Sequence, residues 1–239
     1  MAKQTETSVK ARTPLTRERV LRAAMSLADE GGIESLTMRK LGQALGVEAM
    51  SLYNHVAGKD DILEGLVELA LGEIDLEPAG DWEPAMRASA ISAHEALLRH
   101  PWACSLLLLP NSVGMIPARL RYMESILGRL REAGFSPDLT YHGYHALDSH
   151  ILGFTLWEIG HGVMPSEPLG ELVASFLERF PADEFPHLAE HIQQHLDPSS
   201  HDDTPAFEFG LDLILDGLKR MRKKGGASKR HVDSASATP

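Results

Sequence analysis

The sequence predicts an all-α fold, in which a small N-terminal unit of three helices precedes a larger helical domain. Three observations carry this prediction. Apolar residues recur at spacings of three and four along most of the chain, runs of β-branched residues are few, and glycine or proline stands where the predicted helices begin or end. The length of 239 residues suits one large or two ordinary domains.

The first predicted helix begins after Thr16 and ends at Gly31-Gly32. Thr16 is a favourable N-cap residue, and Glu18 lies near the positive end of the helix dipole. The apolar stripe of this helix consists of Val20, Ala24, Leu27 and Ala28. We expect residues 1–14, which precede it, to form a flexible segment.

Residues 37–59, TMRKLGQALGVEAMSLYNHVAGK, predict two short helices joined by a tight turn. Gly46 ends the first helix, because glycine accepts the left-handed conformation found just past a helix end. The second helix is predicted over Ala49–Val56, with Leu52 and Val56 buried and the first turn facing outward. Eight residues span about 12 Å, close to the width of a DNA major groove. The pair indicates a helix-turn-helix DNA-binding motif, although an ordinary pair of core helices shows the same periodicity.

The side chains of the second helix suit contact with DNA. Ser51 can hydrogen-bond to a base or a phosphate, and Ala49 and Met50 can pack on thymine methyl groups. The residues suited to phosphate contact are Arg39, Tyr53 and Lys59.

The net charge of −11 is unevenly distributed. Residues 1–59 carry 9 basic and 6 acidic side chains, whereas the remainder carries 14 basic and 28 acidic ones. Positive charge is therefore concentrated where phosphates would lie. The acidic remainder would repel DNA, over a field that physiological salt limits to about 8 Å.

Residues 15–66 resemble the N-terminal domain of the tetracycline-repressor (TetR) family of bacterial transcriptional regulators. The resemblance rests on the A-x-x-L-x-x-E-x-G end of the first helix, the L-T-x-R-x-L-x-x-x-L-G-V second helix, the S-L-Y-x-H-V recognition helix and the Gly58-Lys59 turn before Asp60. It implies a helix-turn-helix DNA-binding domain over residues 15–60 and a larger helical ligand-binding and dimerisation domain over residues 61–222. The implied function is a repressor that a small-molecule effector releases from a palindromic, double-stranded operator. The alternative is a DNA-binding regulator controlled by a protein partner or a metal.

The resemblance also implies DNA contacts at individual positions. Thr37 and Arg39 match family positions that reach phosphates or an operator base, and Lys59 matches the residue that clamps a phosphate where the fourth helix begins. The positions that match the recognition helix are Ser51, Tyr53 and His55.

Three positions of the recognition helix depart from the tetracycline repressors. Ala49 and Met50 stand where those proteins carry a hydrogen-bonding residue and a proline, and Asn54 replaces an aromatic residue. We therefore expect an operator that differs from the tetracycline operator.

Beyond Asp60, which opens a fourth helix, the pattern stays helical. The longer predicted helices are Trp82–His100, Ala118–Ala133, Pro137–Gly160 and Ala206–Arg222, with a break over Pro110–Pro117. The segment Gly162–Thr204 is rich in Pro, Asp and His and more loop-like, with short helices predicted over Leu169–Phe180 and Pro186–His195. Residues 223–239, rich in Lys, Gly, Ser and Ala, predict a disordered tail.

The last long helix is apolar on several faces and therefore needs partners on several sides. Its pattern resembles the C-terminal helix of the tetracycline-repressor subgroup, which pairs with the long preceding helix of each subunit in a four-helix dimer interface. The resemblance implies a homodimer. Candidate interface residues are Leu152, Leu156, Phe207, Leu211 and Leu215, each of which could equally belong to the intrachain core.

We expect a small-molecule effector of unknown identity to bind in a cavity among the helices between Trp82 and Gly160. The aromatic and soft side chains suited to it are Met86, Met115, Met123, Phe154 and Trp157. The polar candidates are Ser89, His94, Asn111, His145 and His150. Ordinary core or surface positions are the alternative interpretation for each of these residues.

The resemblance does not extend to a metal-dependent tetracycline site. Tetracycline repressors hold magnesium through a histidine in the segment that here reads SLLLLPNSVG, and Leu107 stands at that place. His187, His191 and His195 share a helix face, and the first two match the H-x-x-E-H pattern of inverzincin proteases, but a further downstream ligand is missing. We expect a solvated helix there, with no metal and no cofactor.

Other function classes are disfavoured. No nucleophile elbow, Walker loop or dinucleotide fingerprint is visible, so we expect no enzyme. Cys104, the single cysteine, excludes an internal disulfide, fits a reducing compartment and is expected to be a core residue. The N-terminus lacks an apolar signal region, and apolar runs fall far short of the roughly 18 residues of a membrane span. We expect a cytoplasmic protein that does not interact with a membrane.

Overall fold

In this computed structural model, the structure describes residues 14–76, 80–108, 116–162, 179–196 and 205–235, except for the side chains of 161–162, 195–196 and 224–235. All regular structure within these ranges is helical, as predicted. The N-terminal unit contains α1 (Arg17–Gly31), a 3₁₀ turn (Ile33–Ser35), α2 (Met38–Leu45) and α3 (Ala49–Leu52). The larger domain contains α4 (Lys59–Gly72), α5 (Trp82–Arg99), α6 (Pro101–Leu108), α7 (Pro117–Glu132), α8 (Pro137–Gly162), α9 (Pro186–Leu196) and α10 (Ala206–Ala235).

The helices α1, α2 and α3 form the predicted N-terminal unit, which we call the headpiece. Thr16 caps α1 by accepting a hydrogen bond from the Arg19 amide at 3.2 Å. Thr37 caps α2 in the same way, accepting from the Lys40 amide at 3.2 Å. These caps satisfy amides that have no partner within the helix, and so fix where each helix begins.

The helix α3 is shorter than predicted. It covers Ala49–Leu52 and not Ala49–Val56, and residues 53–55 form a turn in which the His55 amide bonds to the Leu52 carbonyl at 2.8 Å. The Val56 amide bonds to the same carbonyl at 3.0 Å, so Leu52 and Val56 keep helical spacing and are both buried, as predicted. Apolar spacing therefore could not reveal the tighter turn.

The helix α6, which begins at Pro101, was not predicted from the sequence. Its residues from Trp102 to Cys104, together with Leu106 and Leu107, are buried. A helix surrounded on most sides lacks the polar face on which a periodic pattern depends. Cys104 is completely buried there, and burial raises the pKa of its thiol to about 11.

The helices α8 and α10 pack closely against each other and complete the core. A Cβ at Gly210 would lie 2.5 Å from the His150 ring, and one at Gly143 would lie 3.1 Å from the Leu218 side chain. Arg222 lies over the Trp82 ring at 5.4 Å and so ties α10 to the start of α5. Two glycines thus allow the two helices to approach, because larger residues would separate them.

The helix α10 continues to Ala235, past Arg222, where the sequence predicted a helix end and a disordered tail. Gly225 and Gly226 disfavour helix, and they were part of the composition that predicted the tail, whereas the Lys, Arg and Ala residues around them favour helix. The helix α9 agrees with the predicted Pro186–His195 within one residue. Most of the predicted break over Pro110–Pro117 and of the predicted helix over Leu169–Phe180 lies outside the described residues. No helix in the described ranges is long and apolar enough to cross a bilayer.

Candidate nucleic-acid interface and effector cavity

Two glycines shape the turn between α2 and α3. Gly46 has φ 67° and ψ 35°, the left-handed conformation predicted for the end of α2. Gly42 has no room for a side chain, since a Cβ there would lie 2.9 Å from the Val47 carbonyl oxygen and 3.2 Å from the Ala49 amide nitrogen. The sequence analysis did not single out Gly42, although a glycine inside a short helix is itself a signal of close backbone approach.

The predicted base-reading residues lie at the surface of the headpiece. Met50 is 75% exposed, Tyr53 is 49% exposed and Asn54 is also exposed. The half-buried members of this group are Ala49, Ser51 and His55. A large exposed apolar side chain at the start of a short helix is suited to a contact surface, because the core gains nothing from it there.

The predicted phosphate-contact residues flank this surface. Arg39 is exposed on α2, and Lys59 is the exposed first residue of α4. Thr37 is also exposed, and its hydroxyl accepts from the Lys40 amide. The amides at the start of a helix carry partial positive charge, so Lys59 adds its charge to a helix end that already favours a phosphate.

Residues 49–57, which we call the recognition turn, are joined to α1 and α4 by Asp61. Its carboxylate accepts from the Ala57 amide at 2.8 Å and from the Arg17 guanidinium at 2.5 Å. The backbone hydrogen bond from Ala57, followed by the hydrogen bond from Arg17, lowers the pKa of Asp61 below its ordinary value. The start of α4, and with it Lys59, is thus fixed relative to the headpiece.

A narrow cavity lies between α4, α5, α6, α7 and α8. Its apolar wall consists of Leu71, Ile74, Ala93, Leu97, Leu107, Ile151 and Leu152. Its polar edge consists of Arg119, Tyr122, Tyr144 and Asp148. The free volume is about 20 Å³, enough for a single water. A drug-sized ligand would therefore have to separate the surrounding helices.

The polar edge of the cavity was not predicted. Arg119 donates to the Leu107 carbonyl at 2.9 Å, and Tyr144 and Asp148 lie one turn apart on α8. Burial raises the pKa of Asp148, in spite of the nearby Arg119 cation, and burial raises the pKa of Tyr144 to about 12. The available sequence signal was the spacing of four between Tyr144 and Asp148 on one helix.

The predicted effector residues lie elsewhere in the domain, and none of those described lines this cavity. Met86, Ser89 and His94 are buried in α5, and Met123 is half-buried on α7. On α8, His145 and Trp157 are exposed, whereas His150 and Phe154 are half-buried. Asn111 and Met115 lie outside the described residues.

Three of these residues surround Phe207 of α10. The ring of His94 stacks on the Phe207 ring at 3.9 Å, the His150 ring stacks on it at 4.9 Å, and Phe154 meets it edge-on at 5.6 Å. His150 Nε2 also lies 2.9 Å from the Phe207 carbonyl oxygen. These contacts join α5, α8 and α10, so the side chains have a packing role in this structure.

The two ring nitrogens of His94 face different partners. Thr155 donates its hydroxyl to the Ile151 carbonyl at 2.6 Å, so this hydroxyl accepts from His94 Nδ1 at 2.8 Å. Nε2 lies 3.2 Å from the Glu158 carboxylate. Burial lowers the pKa of His94, although Glu158 acts in the opposite direction. The ring is therefore held in a single orientation by α8.

Four of the five predicted dimer-interface residues are buried within the chain itself. These are Leu152, Phe207, Leu211 and Leu215, whereas Leu156 is exposed. The exposed apolar side chains on α8 and α10 are Leu156, Trp157, Phe209, Leu213, Tyr141 and Met221. We call Leu156, Trp157, Phe209 and Leu213 the α8–α10 face.

The histidines of α9 do not assemble a metal site in the part of the chain that the structure describes. His187 and His191 are both exposed, and the side chain of His195 lies outside that part. No group of three or more potential metal ligands occurs among the described residues. The side chain of Leu107 belongs to the apolar wall of the cavity, and an aliphatic side chain cannot ligate magnesium.

The fold and the site together define a class of protein. An exposed recognition turn is fixed by α2 and α4, and α4 continues into a larger helical domain that encloses a cavity. This combination defines a ligand-responsive DNA-binding regulator of the helix-turn-helix type.

Residues 20–66 match the family model described as bacterial regulatory proteins, tetR family, and residues 75–222 match the tetracyclin repressor-like C-terminal domain. The chain belongs to the TetR family of transcriptional regulators.

Individual relatives agree with this assignment. An HTH-type transcriptional regulator of Saccharopolyspora erythraea is 33% identical over 141 residues, a match that spans 58% of this chain and only 59% of that relative. The class D tetracycline repressor of Escherichia coli is 32% identical over 212 residues, covering 86% of this chain and 89% of the repressor. The crystal structure of the Streptomyces coelicolor TetR family protein ActR in complex with actinorhodin has a TM-score of 0.69 at 26% identity, covering 88% of this chain and 99% of ActR.

Proposed function

We propose that this protein is a cytoplasmic repressor that binds a palindromic operator as a homodimer. Binding of a small organic effector releases the repressor from the operator. The protein has no catalytic role in this proposal. The observation that carries the proposal is the exposed recognition turn, in which Met50 and Tyr53 face outward from a buried Leu52. Two such turns, related by a two-fold axis, would read successive major grooves about 34 to 36 Å apart.

The cavity supports an effector that acts through α4. Leu71 of α4 and Ile74 just beyond it line the cavity, while Asp61 at the start of α4 holds the recognition turn. Because the cavity has room for only one water, an effector that enters it displaces α4 relative to its neighbours. That displacement changes the separation of the two headpieces, and the operator no longer fits.

The polar edge of the cavity favours an effector that carries both apolar surface and hydrogen-bonding groups. Arg119 offers donors that its bond to Leu107 leaves unused, and Asp148 offers acceptors. The class D tetracycline repressor and ActR, whose structure contains actinorhodin, are relatives of this chain. The effector of this chain is a compound of that general size.

The test begins with the operator. Footprinting on the upstream region of the gene would give the binding site, and a compound library would then be screened for release of a fluorescent operator. We expect a single protected palindrome and release by a compound with the features above. Failure to protect any palindromic site at physiological salt would contradict the proposal.

A matched pair of variants then locates the effector. Tyr144→Phe removes a hydroxyl from the polar edge of the cavity, whereas Tyr141→Phe alters an exposed tyrosine of the same helix. We expect Tyr144→Phe to raise the effector concentration needed for release about tenfold, the equivalent of one lost hydrogen bond, with unchanged operator affinity. Tyr141→Phe should behave as the wild type. If both variants needed the same effector concentration for operator release, the effector would bind outside this cavity.

A further inference from the structure

His100 is buried where the headpiece meets the larger domain. The residue is 6% exposed, and both of its ring nitrogens face carboxylates. Nδ1 lies 2.8 Å from Asp29 Oδ1, and Nε2 lies 3.2 Å from Glu73 Oε1. Trp102 donates its indole N–H to the same Asp29 oxygen at 2.7 Å, and Arg99 bonds to Glu73 at 2.9 Å.

This geometry needs a proton on each ring nitrogen. An ionised carboxylate only accepts hydrogen bonds, so a neutral imidazole, which has one N–H, leaves a lone pair facing one of the two carboxylates. The imidazolium donates to both. Burial acts to raise the pKa of Glu73, but hydrogen bonds from Arg99 and His100 outweigh burial and lower it. Glu73 therefore stays ionised beside the ring.

The charged groups around His100 come from separate parts of the molecule. Asp29 belongs to α1 of the headpiece, Glu73 directly follows α4, and Arg99 precedes His100 at the end of α5. Trp102 belongs to α6, which also lines the cavity through Leu107. The ring thus lies at the junction of four helices.

The start and middle of α1 are attached to α4. Arg17 pairs with Asp61 at 2.5 Å, and the Leu21 side chain fills the space that Gly65 leaves open. Both contacts let α1 and α4 move together as one body. The cluster of Asp29, His100 and Trp102 is different, because it joins α1 directly to α5 and α6.

We propose that His100 is a positioning residue whose protonated ring holds the headpiece at its angle to the larger domain, so that operator affinity depends on this proton. The inference rests on the proposed function. A ring without this proton can donate to only one of the two carboxylates, so we expect the attachment to weaken as the pH rises. A less firmly attached headpiece has more conformational freedom before it binds DNA. Because binding removes this freedom at an entropic cost, operator affinity falls.

The test compares variants of the full-length dimer over about pH 5 to 8 at constant ionic strength. His100→Gln keeps one donor and one acceptor but cannot take up a proton. Asp29→Asn gives the neutral ring an amide to pair with. His142→Gln, at an exposed position of α8, is the control. Operator affinity is measured by fluorescence anisotropy, and ¹⁵N-histidine spectra report the ring protonation of His100, which is assigned by its loss in His100→Gln.

We expect wild type and His142→Gln to lose at least about fivefold in affinity as the pH rises, and His100→Gln and Asp29→Asn to lack this component. All other ionisable groups are the same in wild type, His100→Gln and Asp29→Asn, so their contributions cancel in the comparison. The ¹⁵N spectra should show two protonated ring nitrogens at the acidic end of the range.

The same pH dependence in wild type and His100→Gln, or a neutral His100 ring throughout the range, would overturn the inference. If His100→Gln does not fold, Asp29→Asn and the ¹⁵N titration decide. Absence of operator binding by wild type at every pH would instead reject the proposed function, and the ¹⁵N titration, which needs no DNA, would still decide whether His100 is charged.

Discussion

Gly42 allows the backbone of α2 to approach the first residues of α3, and this approach determines where Met50 and Tyr53 face. A Cβ at Gly42 would meet backbone atoms of Val47 and Ala49, which cannot rotate away as a side chain can. The recognition surface therefore depends on a residue that makes no contact with DNA.

Replacement of Gly42 by alanine tests this dependence. Alanine favours helix by about 1 kcal/mol over glycine, but the added Cβ would lie 2.9 Å from the Val47 carbonyl oxygen. We expect the free energy of unfolding in urea to fall by about 1 to 3 kcal/mol, and operator affinity to fall with it. The control is Gly128→Ala in α7, where no atom lies within 4 Å of the new Cβ. Equal stability of the two variants would contradict the explanation.

Asp61 gives a prediction that depends on pH. Its folded-state pKa is lowered, so its contribution to stability is complete above the unfolded-state value of about 3.9 and is lost as the pH falls through the folded value. We expect Asp61→Asn to reduce the free energy of unfolding by about 1 kcal/mol at neutral pH, and the difference from wild type to shrink below about pH 4. Asp60→Asn, at the exposed neighbouring position, is the control for urea denaturation at both pH values.

Leu107 determines whether the protein can bind magnesium-tetracycline. An aliphatic side chain cannot replace the histidine that the tetracycline repressors use for magnesium, so we expect no binding of magnesium-tetracycline at micromolar concentration. Isothermal titration with and without magnesium measures this directly. Magnesium-dependent heat at that concentration would show that another residue supplies the ligand.

Local residue roles could be predicted from the sequence, and distant pairings could not. The cap at Thr16 and the burial of Leu52 and Val56 follow from neighbours within four residues. His94 meets Thr155 across 61 positions, and His150 meets Phe207 across 57. A single sequence carries no signal for such distant pairs, so the packing of these two histidines could not be predicted from it.

At the scale of elements, α10 shows where a helical pattern stops being informative. The helix is apolar on several faces, and the pattern does not say which face packs within the chain and which meets a second chain. Leu211 and Leu215 are buried in the monomer, while Phe209 is 61% and Leu213 is 58% exposed. The residues between the predicted contacts are therefore the ones available to a partner.

Substitution within the α8–α10 face tests dimerisation. An aspartate at Leu213 places charge in an apolar contact, and because Leu213 is exposed in the monomer, the fold itself should tolerate the change. We expect Leu213→Asp to shift the mass measured by light scattering from dimer to monomer and to abolish tight operator binding. The control is Leu120→Asp, an exposed leucine of α7, which should remain a dimer. A dimeric Leu213→Asp would place the interface elsewhere.

At the scale of the whole molecule, the fold class and the order of the helices were predictable because the apolar spacing repeats over most of the chain. A cavity among the helices between Trp82 and Gly160 was predicted, but its lining was not, because the lining residues come from five helices and the free volume depends on how closely these approach. Arg119 and Asp148 read in the sequence as ordinary polar residues of amphipathic helices. Only their packing around Leu107 and Ile151 turns them into the edge of a pocket.

The effector and the operator should oppose each other reciprocally. If the effector weakens operator binding by some factor, the operator must weaken effector binding by the same factor, since both bias one equilibrium of α4. We expect a difference of about 5- to 150-fold between effector affinities measured with free and with operator-bound protein. Calorimetric titration in the two conditions measures it, and equal affinities would rule out the coupling.

Cys104 is fully enclosed and its thiol stays protonated at neutral pH. Maleimides and related reagents attack the thiolate, so the folded protein should be inert toward them at this position. A cysteine engineered at Lys59 would then accept a spin label or fluorophore selectively in an otherwise unaltered chain. The distance between two such labels in the assembled dimer would measure the separation of the two headpieces directly.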